Sequence, residues 1–325
     1  MGQGKQMNSI ATERVDPELR ALLDIVPTVD FSDALLEAIR ERPLLMPVDD
    51  SLRDYVDVST FSVAGILGGP DVSVRISRPK KHSETLPCIL HIHGGGFVAG
   101  SVEASAPKCD NLARQLDCIV VSVDYRLAPE TRFPGALEDC FAVLLWLYAE
   151  AERLKLDPVR IGVMGESAGG GLAAALVLLA RDQGGPALAF QHLIYPMLDD
   201  RTCDQPVSDP AVGAFIWTPT SNRYGWSSLL GEAPGGEEIS PYAAPARETN
   251  LTGLPPTFIA VGDLDLFAAE DTAYARRLSR AGVDVELHVY PGCFHGFDLA
   301  PDAEISATAR ADSQKALASK LHPAL

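Results

Sequence analysis

From Asp16 to Arg42 the apolar residues recur at helical spacing, Leu19, Leu22, Leu23 and Val26 first, then Phe31, Leu35, Leu36 and Ile39, with Pro27 between the two sets. Two short amphipathic helices are expected. They precede any strand and their apolar stripes need a surface to cover, so they read as part of a lid. From Tyr55 the period changes to two. YVDVSTFSV and DVSVRISRP alternate polar and apolar, as an antiparallel pair at a sheet edge does. Then LPCILHI, CIVVSVDY, RIGVMG, AFQHLIY, PTFIAVG and VELHVYP follow as short aliphatic runs, mostly separated by helix-like segments near 104–117, 136–153, 168–182 and 268–281, with a last helix near 302–320. This alternation predicts an α/β fold: a mostly parallel sheet of about eight strands, flanked by helices on both faces.

One interval breaks the rhythm. Roughly sixty residues separate the strand ending near Tyr195 from the one starting near Thr257, where a crossover typically needs a dozen or more. Its prolines (Pro206, Pro210, Pro219, Pro234) and its aromatic cluster (Phe215, Trp217, Tyr224, Trp226) predict short helices and loops with an aromatic underside. Residues 1–50 and 199–240 are therefore expected to form one helical cap over a catalytic body of 51–198 and 241–325.

The sequence has 325 residues and a net charge of −17. That field disfavours nucleic acid and anionic membrane surfaces as partners and suits a neutral or cationic small molecule. The first twenty residues lack the apolar core of a secretory signal, no run of about 18 apolar residues follows, and residues 2–6 lack the Ser/Thr of a myristoylation signal. A cytoplasmic protein without a membrane anchor is expected, and a homodimer is left open. The six cysteines form no CxxC pair, so they are expected as free thiols and not as a zinc or thioredoxin site.

Chemistry concentrates in three places. In RIGVMGESAGGGLAAALVLLA a strand pattern runs through Gly165-Glu166-Ser167-Ala168-Gly169 into a helix. Glycine on either side of Ser167 allows a strained turn and close passage of neighbouring backbone, and the helix amino end, with the Ala168 N–H, faces a developing oxyanion. In HIHGGGF, Gly94, Gly95 and Gly96 end an apolar strand, as a loop does whose N–H groups approach a ligand closely. No Lys-Ser/Thr follows, which removes a phosphate loop. His91 and His93 lack a third ligand at metal spacing, so His93 reads as a brace for the glycine loop.

A serine hydroxyl reacts only when a base takes its proton. Of the seven histidines, His82 and His322 lie in polar or terminal segments, His192 and His288 inside strand patterns, and His91 and His93 ahead of the serine. His295, in PGCFHGF just past a late strand, stands where a Ser, acid, His order places the base. The orienting acid is Asp263 or Asp265 of TFIAVGDLDLF, the other serving as cap for the following helix. Cys293, two residues before His295, reads as a bystander thiol.

Together with DYRLAPE at 124–130, FPGALEDC at 133–140, GESAGG at 165–170, LDLFAAED and FHGF, these motifs run in order from His91 to Phe297, and the chain resembles the hormone-sensitive-lipase-like esterases of the α/β-hydrolase superfamily. The resemblance implies Ser167 as nucleophile, His295 as general base, and an oxyanion hole from the N–H groups of Gly95, Gly96 and Ala168. It favours Asp265 as the acid, because the family's D-x-L/F-x-x-E pattern continues in Phe267 and Glu270. Two departures stand out: Glu166 where many relatives have aspartate, and DLF where others have DPL. The activity implied is a serine carboxylesterase that needs no cofactor or metal; the aromatic cap residues would close a compact pocket, so short to medium acyl esters are expected, with Phe97, Tyr195, Phe215 and Trp217 as pocket residues. An amidase or deacetylase, or a non-catalytic small-molecule receptor, is the alternative on the same fold.

Overall fold

The computed structural model describes residues 11–41, 50–80, 84–206 and 209–323. His82, along with parts of the expected lid at 1–10 and 42–49, lies outside them. Eight strands form one sheet: β1 (Val56–Val63), β2 (Val72–Pro79), β3 (Leu86–Ile92), β4 (Ile119–Asp124), β5 (Leu156–Glu166), β6 (Gln191–Ile194), β7 (Thr257–Gly262) and β8 (Val285–Tyr290). Their spatial order is β1-β2-β4-β3-β5-β6-β7-β8. The β1/β2 and β2/β4 pairs are antiparallel and the rest parallel, so the alternating pair does occupy an edge.

Period-two alternation along the buried strands divides the core. Leu90 and Ile92 of β3, with Val121 and Val123 of β4, face the cluster that holds α4 (Gly135–Ala149) and α6 (Ala168–Asp182). Ile89 and Val120 face the opposite cluster, which includes Leu112 of α3 (Val102–Gln115) and Ala309 and Leu317 of α9 (Glu304–Leu321). The short α5 (Ala151–Leu154) leads into β5. Because both faces are covered, β3 can be apolar along its length, and all seven of its residues are buried. β5 extends further back than RIGVMG alone suggests, its pairing with β3 shifting register between Leu86 and Cys88.

The two expected N-terminal helices appear as α1 (Arg20–Ile25) and α2 (Asp33–Arg40), separated around Pro27. The long interval contributes α7 (Pro219–Leu230), whose Thr218 caps it through Ser221 N–H. The two stretches are stitched together: Phe31 N–H donates to Ser221 Oγ at 3.1 Å, Ile216 N–H to Thr28 Oγ1 at 3.0 Å, and Tyr224 OH to Asp33 Oδ1 at 2.8 Å. Arg40 then clamps α2 to the body through the carbonyls of Val98 and Ala128 and through Glu130. Between β7 and β8 lies α8 (Ala268–Arg280). Among the described residues, no helix is long and apolar enough to cross a membrane.

Candidate active site

β3 and β5 are adjacent parallel strands, with β4 reached on one side of β3 and β6 on the far side of β5. Loops leaving the carboxyl ends of such a pair converge on one crevice. The glycine loop leaves β3 there, and Ser167 leaves β5. A Cβ on Gly94 would lie 2.9 Å from the Glu166 carbonyl oxygen and 3.4 Å from Ser167 Cβ, so the loop can approach the serine only as glycine.

Ser167 holds φ 55° and ψ −121°, a conformation that L-residues rarely adopt, at the point where β5 turns into α6. Its surroundings fix it. Its N–H donates to the Ile194 carbonyl at 2.9 Å, and its own carbonyl accepts from Gly171 and Met197. A Cβ on Gly165 would stand 2.2 Å from the Gly169 carbonyl oxygen, and one on Gly169 would stand 2.1 Å from that of Ile92. The small residues thus let α6 start directly against the ends of β3 and β5. Ala168 is the first residue of α6, so its N–H precedes the helix ladder and is free to point at a ligand. Among the described residues, the N–H groups of Gly95 and Gly96 donate to no backbone acceptor in the chain.

The loop carrying these two N–H groups is braced from behind. His93 stacks on Tyr125 at 4.2 Å, Tyr125 OH donates to the His93 carbonyl, and Ala128 N–H donates to the Phe97 carbonyl. Arg126 is held by a bidentate pair with Asp139. Here the DYRLAPE and FPGALEDC motifs acquire a physical role: they buttress the glycine loop. Burial pushes the His93 imidazole down to about 4, which keeps the ring neutral in that stack.

His295 lies in the loop after β8, with Nε2 2.9 Å from Ser167 Oγ and Nδ1 2.8 Å from Asp265 Oδ2. Asp265 is fully buried, while Ser167 and His295 are each 6% exposed. The other Asp265 oxygen accepts the Phe267 N–H at 3.0 Å, which aims the carboxylate. Asp263 does not cap α8 as expected. Its Oδ1 instead accepts the Gly292 N–H at 2.7 Å, joining the β7 loop to the His295 loop. The α8 amino end has no side-chain cap at Phe267. Gly262 allows the same junction, since a Cβ there would meet the Cys293 carbonyl oxygen at 2.1 Å.

Aromatic rings enclose the imidazole: Tyr195 at 4.6 Å, Phe267 edge-on at 5.3 Å and Trp217 at 6.2 Å between centroids. Trp217 also lies over the glycine loop, where a Gly96 Cβ would come within 2.1 Å of its Cη2. Of the four pocket candidates, Tyr195 and Trp217 stand beside the triad. Phe97 packs on the fully buried Trp226, and Phe215 packs on Phe294. Phe31, read from the sequence as a helix position, and Phe267, read as part of the acid-loop pattern, are brought to the site by their contacts with Trp217 and His295.

Glu166, adjacent to the serine, points away from the reacting atoms. Its carboxylate accepts from His91 Nε2 at 3.0 Å and from Lys108 Nζ at 2.8 Å. Burial opposes its charge, but Lys108 and His91 prevail and hold it well below the usual carboxylate range. Burial likewise disfavours a charged His91, yet Cys109 and Glu166 outweigh it and raise the ring to about 10.

A family model described as alpha/beta hydrolase fold matches residues 89–299. The chain is 35% identical to the carboxylesterase NlhH of Mycobacterium tuberculosis, covering 93% of this chain and 95% of that protein. It is 30% identical to an ethyl acetate hydrolase of Pseudomonas putida, covering 87% and 92%. Among solved structures, a bacterial heroin esterase superposes with a TM-score of 0.86 at 42% identity, covering 96% of this chain and 99% of that one. The motifs, the sheet order and these relatives agree, and the chain belongs to the α/β-hydrolase fold family, in its hormone-sensitive-lipase-like branch of carboxylic ester hydrolases.

Proposed function

We propose that the protein is a serine carboxylesterase working through an acyl-enzyme on Ser167. The observation that carries this is the continuous hydrogen-bonded line from Asp265 through His295 to Ser167 Oγ, beside the glycine-loop N–H groups. His295 takes the hydroxyl proton as Oγ attacks the ester carbonyl. The carbonyl oxygen becomes an oxyanion held by the N–H groups of Gly95, Gly96 and Ala168, and Asp265 stabilises the imidazolium. His295 returns the proton to the departing alkoxide. Water, deprotonated by the same imidazole, then cleaves the acyl-enzyme and frees the acid.

Trp217 narrows the space above the glycine loop, which supports short acyl groups as the preferred substrates. The name of the Pseudomonas relative, an ethyl acetate hydrolase, points the same way. The stitched segments around α2 and α7 act as the cap in this reading, and the protein works in the cytoplasm. A p-nitrophenyl alkylphosphonate tests the mechanism: one equivalent should abolish esterase activity and add the phosphonyl mass to the peptide containing Ser167. Inactivation with the label on another residue would contradict it. A series of p-nitrophenyl esters tests the pocket, with kcat/KM expected to be highest for short acyl chains and to shift toward longer chains in Trp217→Ala. Best turnover of long chains by the unmodified enzyme would refute the assignment.

A further inference from the structure

A second cavity, of about 360 Å³, lies on the opposite face of the sheet from α6, between α3 and α9. Its apolar lining includes Met164, Ile194, Ala260 and Phe297, the first three standing near the carboxyl ends of β5, β6 and β7. That volume is within the range of small-molecule sites, about 300–1,000 Å³, and the mixture of apolar wall with a few polar groups is what such sites show.

The charges around it are unevenly matched. Lys108 at the wall is already paired with Glu166 at 2.8 Å and faces Asp298 at 3.7 Å. Asp298 also accepts the Tyr195 hydroxyl at 2.7 Å. Arg310 differs. Its guanidinium donates to the carbonyls of Asp298, Ala300 and Pro301, and among the described residues no carboxylate pairs with it. The lining therefore carries one guanidinium that no carboxylate contacts, beside an apolar chamber, while its one carboxylate, Asp298, is turned to Lys108 and the Tyr195 hydroxyl. The molecule as a whole, at −17, repels anions in general, so an anion held here would be held by this local arrangement.

We propose that this cavity is a binding site for a medium-chain monocarboxylate, its alkyl chain against Met164, Ile194 and Phe297 and its carboxylate at Arg310. The occupant would press on the back of the catalytic elements. Met164 lies on β5 three residues before Ser167, the Ile194 carbonyl receives the Ser167 N–H, and Phe297 and Asp298 belong to the loop that carries His295. The site itself does not depend on the chemistry assigned to Ser167.

Octanoate is the probe, titrated calorimetrically into enzyme treated with the p-nitrophenyl phosphonate so that the catalytic crevice is filled. The mass of the treated protein reports separately whether Ser167 has reacted. If it has not, the esterase reading fails, while comparison of the cavity variants with the unmodified chain still decides the carboxylate site. Saturable binding at one site is expected, weakened at least tenfold in Arg310→Gln and also in Ala309→Phe, which narrows the chamber from α9. Octanol should bind at least tenfold more weakly than octanoate. Circular dichroism and thermal melting of both variants establish that they fold, and Arg310→Lys, which keeps the charge, should retain more of the affinity than Arg310→Gln. The proposal is overturned if octanoate does not bind, if octanol binds equally well, or if folded Arg310→Gln binds octanoate as the parent does.

Discussion

Asp265 accepts two hydrogen bonds from opposite sides, the Phe267 N–H on Oδ1 and His295 on Oδ2, with no exposure to water. Asp263, two residues earlier, spends its carboxylate on the Gly292 N–H. One aspartate orients the base and the other ties down the loop that carries it. Asp265→Asn should thus lower kcat by about 10⁴, because an amide no longer fixes the imidazole tautomer or balances the imidazolium. Asp263→Asn should leave kcat within about tenfold and lower stability by about 1 kcal/mol, through a weakened acceptor for a partly buried N–H. Steady-state kinetics and thermal melts of the two variants check this, and the reverse order of the kinetic losses would contradict it.

The residues alone left this choice open, because the two carboxylates share a turn and a loop thirty residues away distinguishes them; the resemblance, through the pattern continued in Phe267 and Glu270, favoured Asp265. The GESAGG turn was legible, since Gly165 and Gly169 are demanded by backbone atoms that a Cβ would overlap. Glu166 shows the limit of local reading. Its partners His91 and Lys108 are 75 and 58 residues away, brought to it by sheet pairing and by α3. Among the cap aromatics, composition could not separate Trp217, which stands beside His295, from Trp226, which is wholly buried in the core.

At the scale of elements, the glycine loop and the start of α6 are packed backbone to backbone. Gly169→Ala would drive a Cβ to 2.1 Å from the Ile92 carbonyl oxygen, inside any tolerable contact, and should cost more than about 3 kcal/mol or prevent folding. A melting temperature within a few degrees of the parent would show that α6 is less tightly held than its contacts indicate. The start of α8 makes a different prediction. Glu270 accepts the N–H groups of Leu198 and Asp199 and the Thr202 hydroxyl, tying the chain after β6 to this helix. Burial, helped by nearby Asp199, pushes its carboxyl up to about 8 from an ordinary 4.5. The adjacent Asp271 is also raised well above its ordinary value, by burial and by the charges of Glu270 and Asp265, and both its oxygens lack a hydrogen-bond partner.

Folding therefore favours the protonated acids. Between the unfolded and folded values the native state binds more protons, so stability falls as pH rises through that window, by up to ~1.4 kcal/mol per pH unit for each group. Glu270→Gln can still accept the two N–H groups through its Oε1. It should flatten the decline in melting temperature between pH 5 and pH 8, and a decline as steep as the parent's would contradict this role.

Across the whole molecule, the order of elements was readable because βαβ alternation and helix punctuation are properties of short windows. The edge pair β1 and β2, the nucleophile helix α6 and the terminal helix α9 stand close to where periodicity puts them. What closes the site is long-range. Arg40 from the N-terminal segment bonds the Val98 and Ala128 carbonyls behind the glycine loop and pairs with Glu130 of DYRLAPE. Arg40→Ala should loosen α2 from the body, raising KM more than it lowers kcat, and equal kinetics would argue that α2 holds its place without this clamp.

The central claim is that Ser167, activated by His295 and Asp265, carries the acyl group. Ser167→Ala, compared with the parent on p-nitrophenyl acetate after purification by the same route, tests it most directly. The account predicts a folded protein whose kcat is lower by about 10⁴-fold or more. A folded Ser167→Ala variant that keeps most of the parental rate would contradict it.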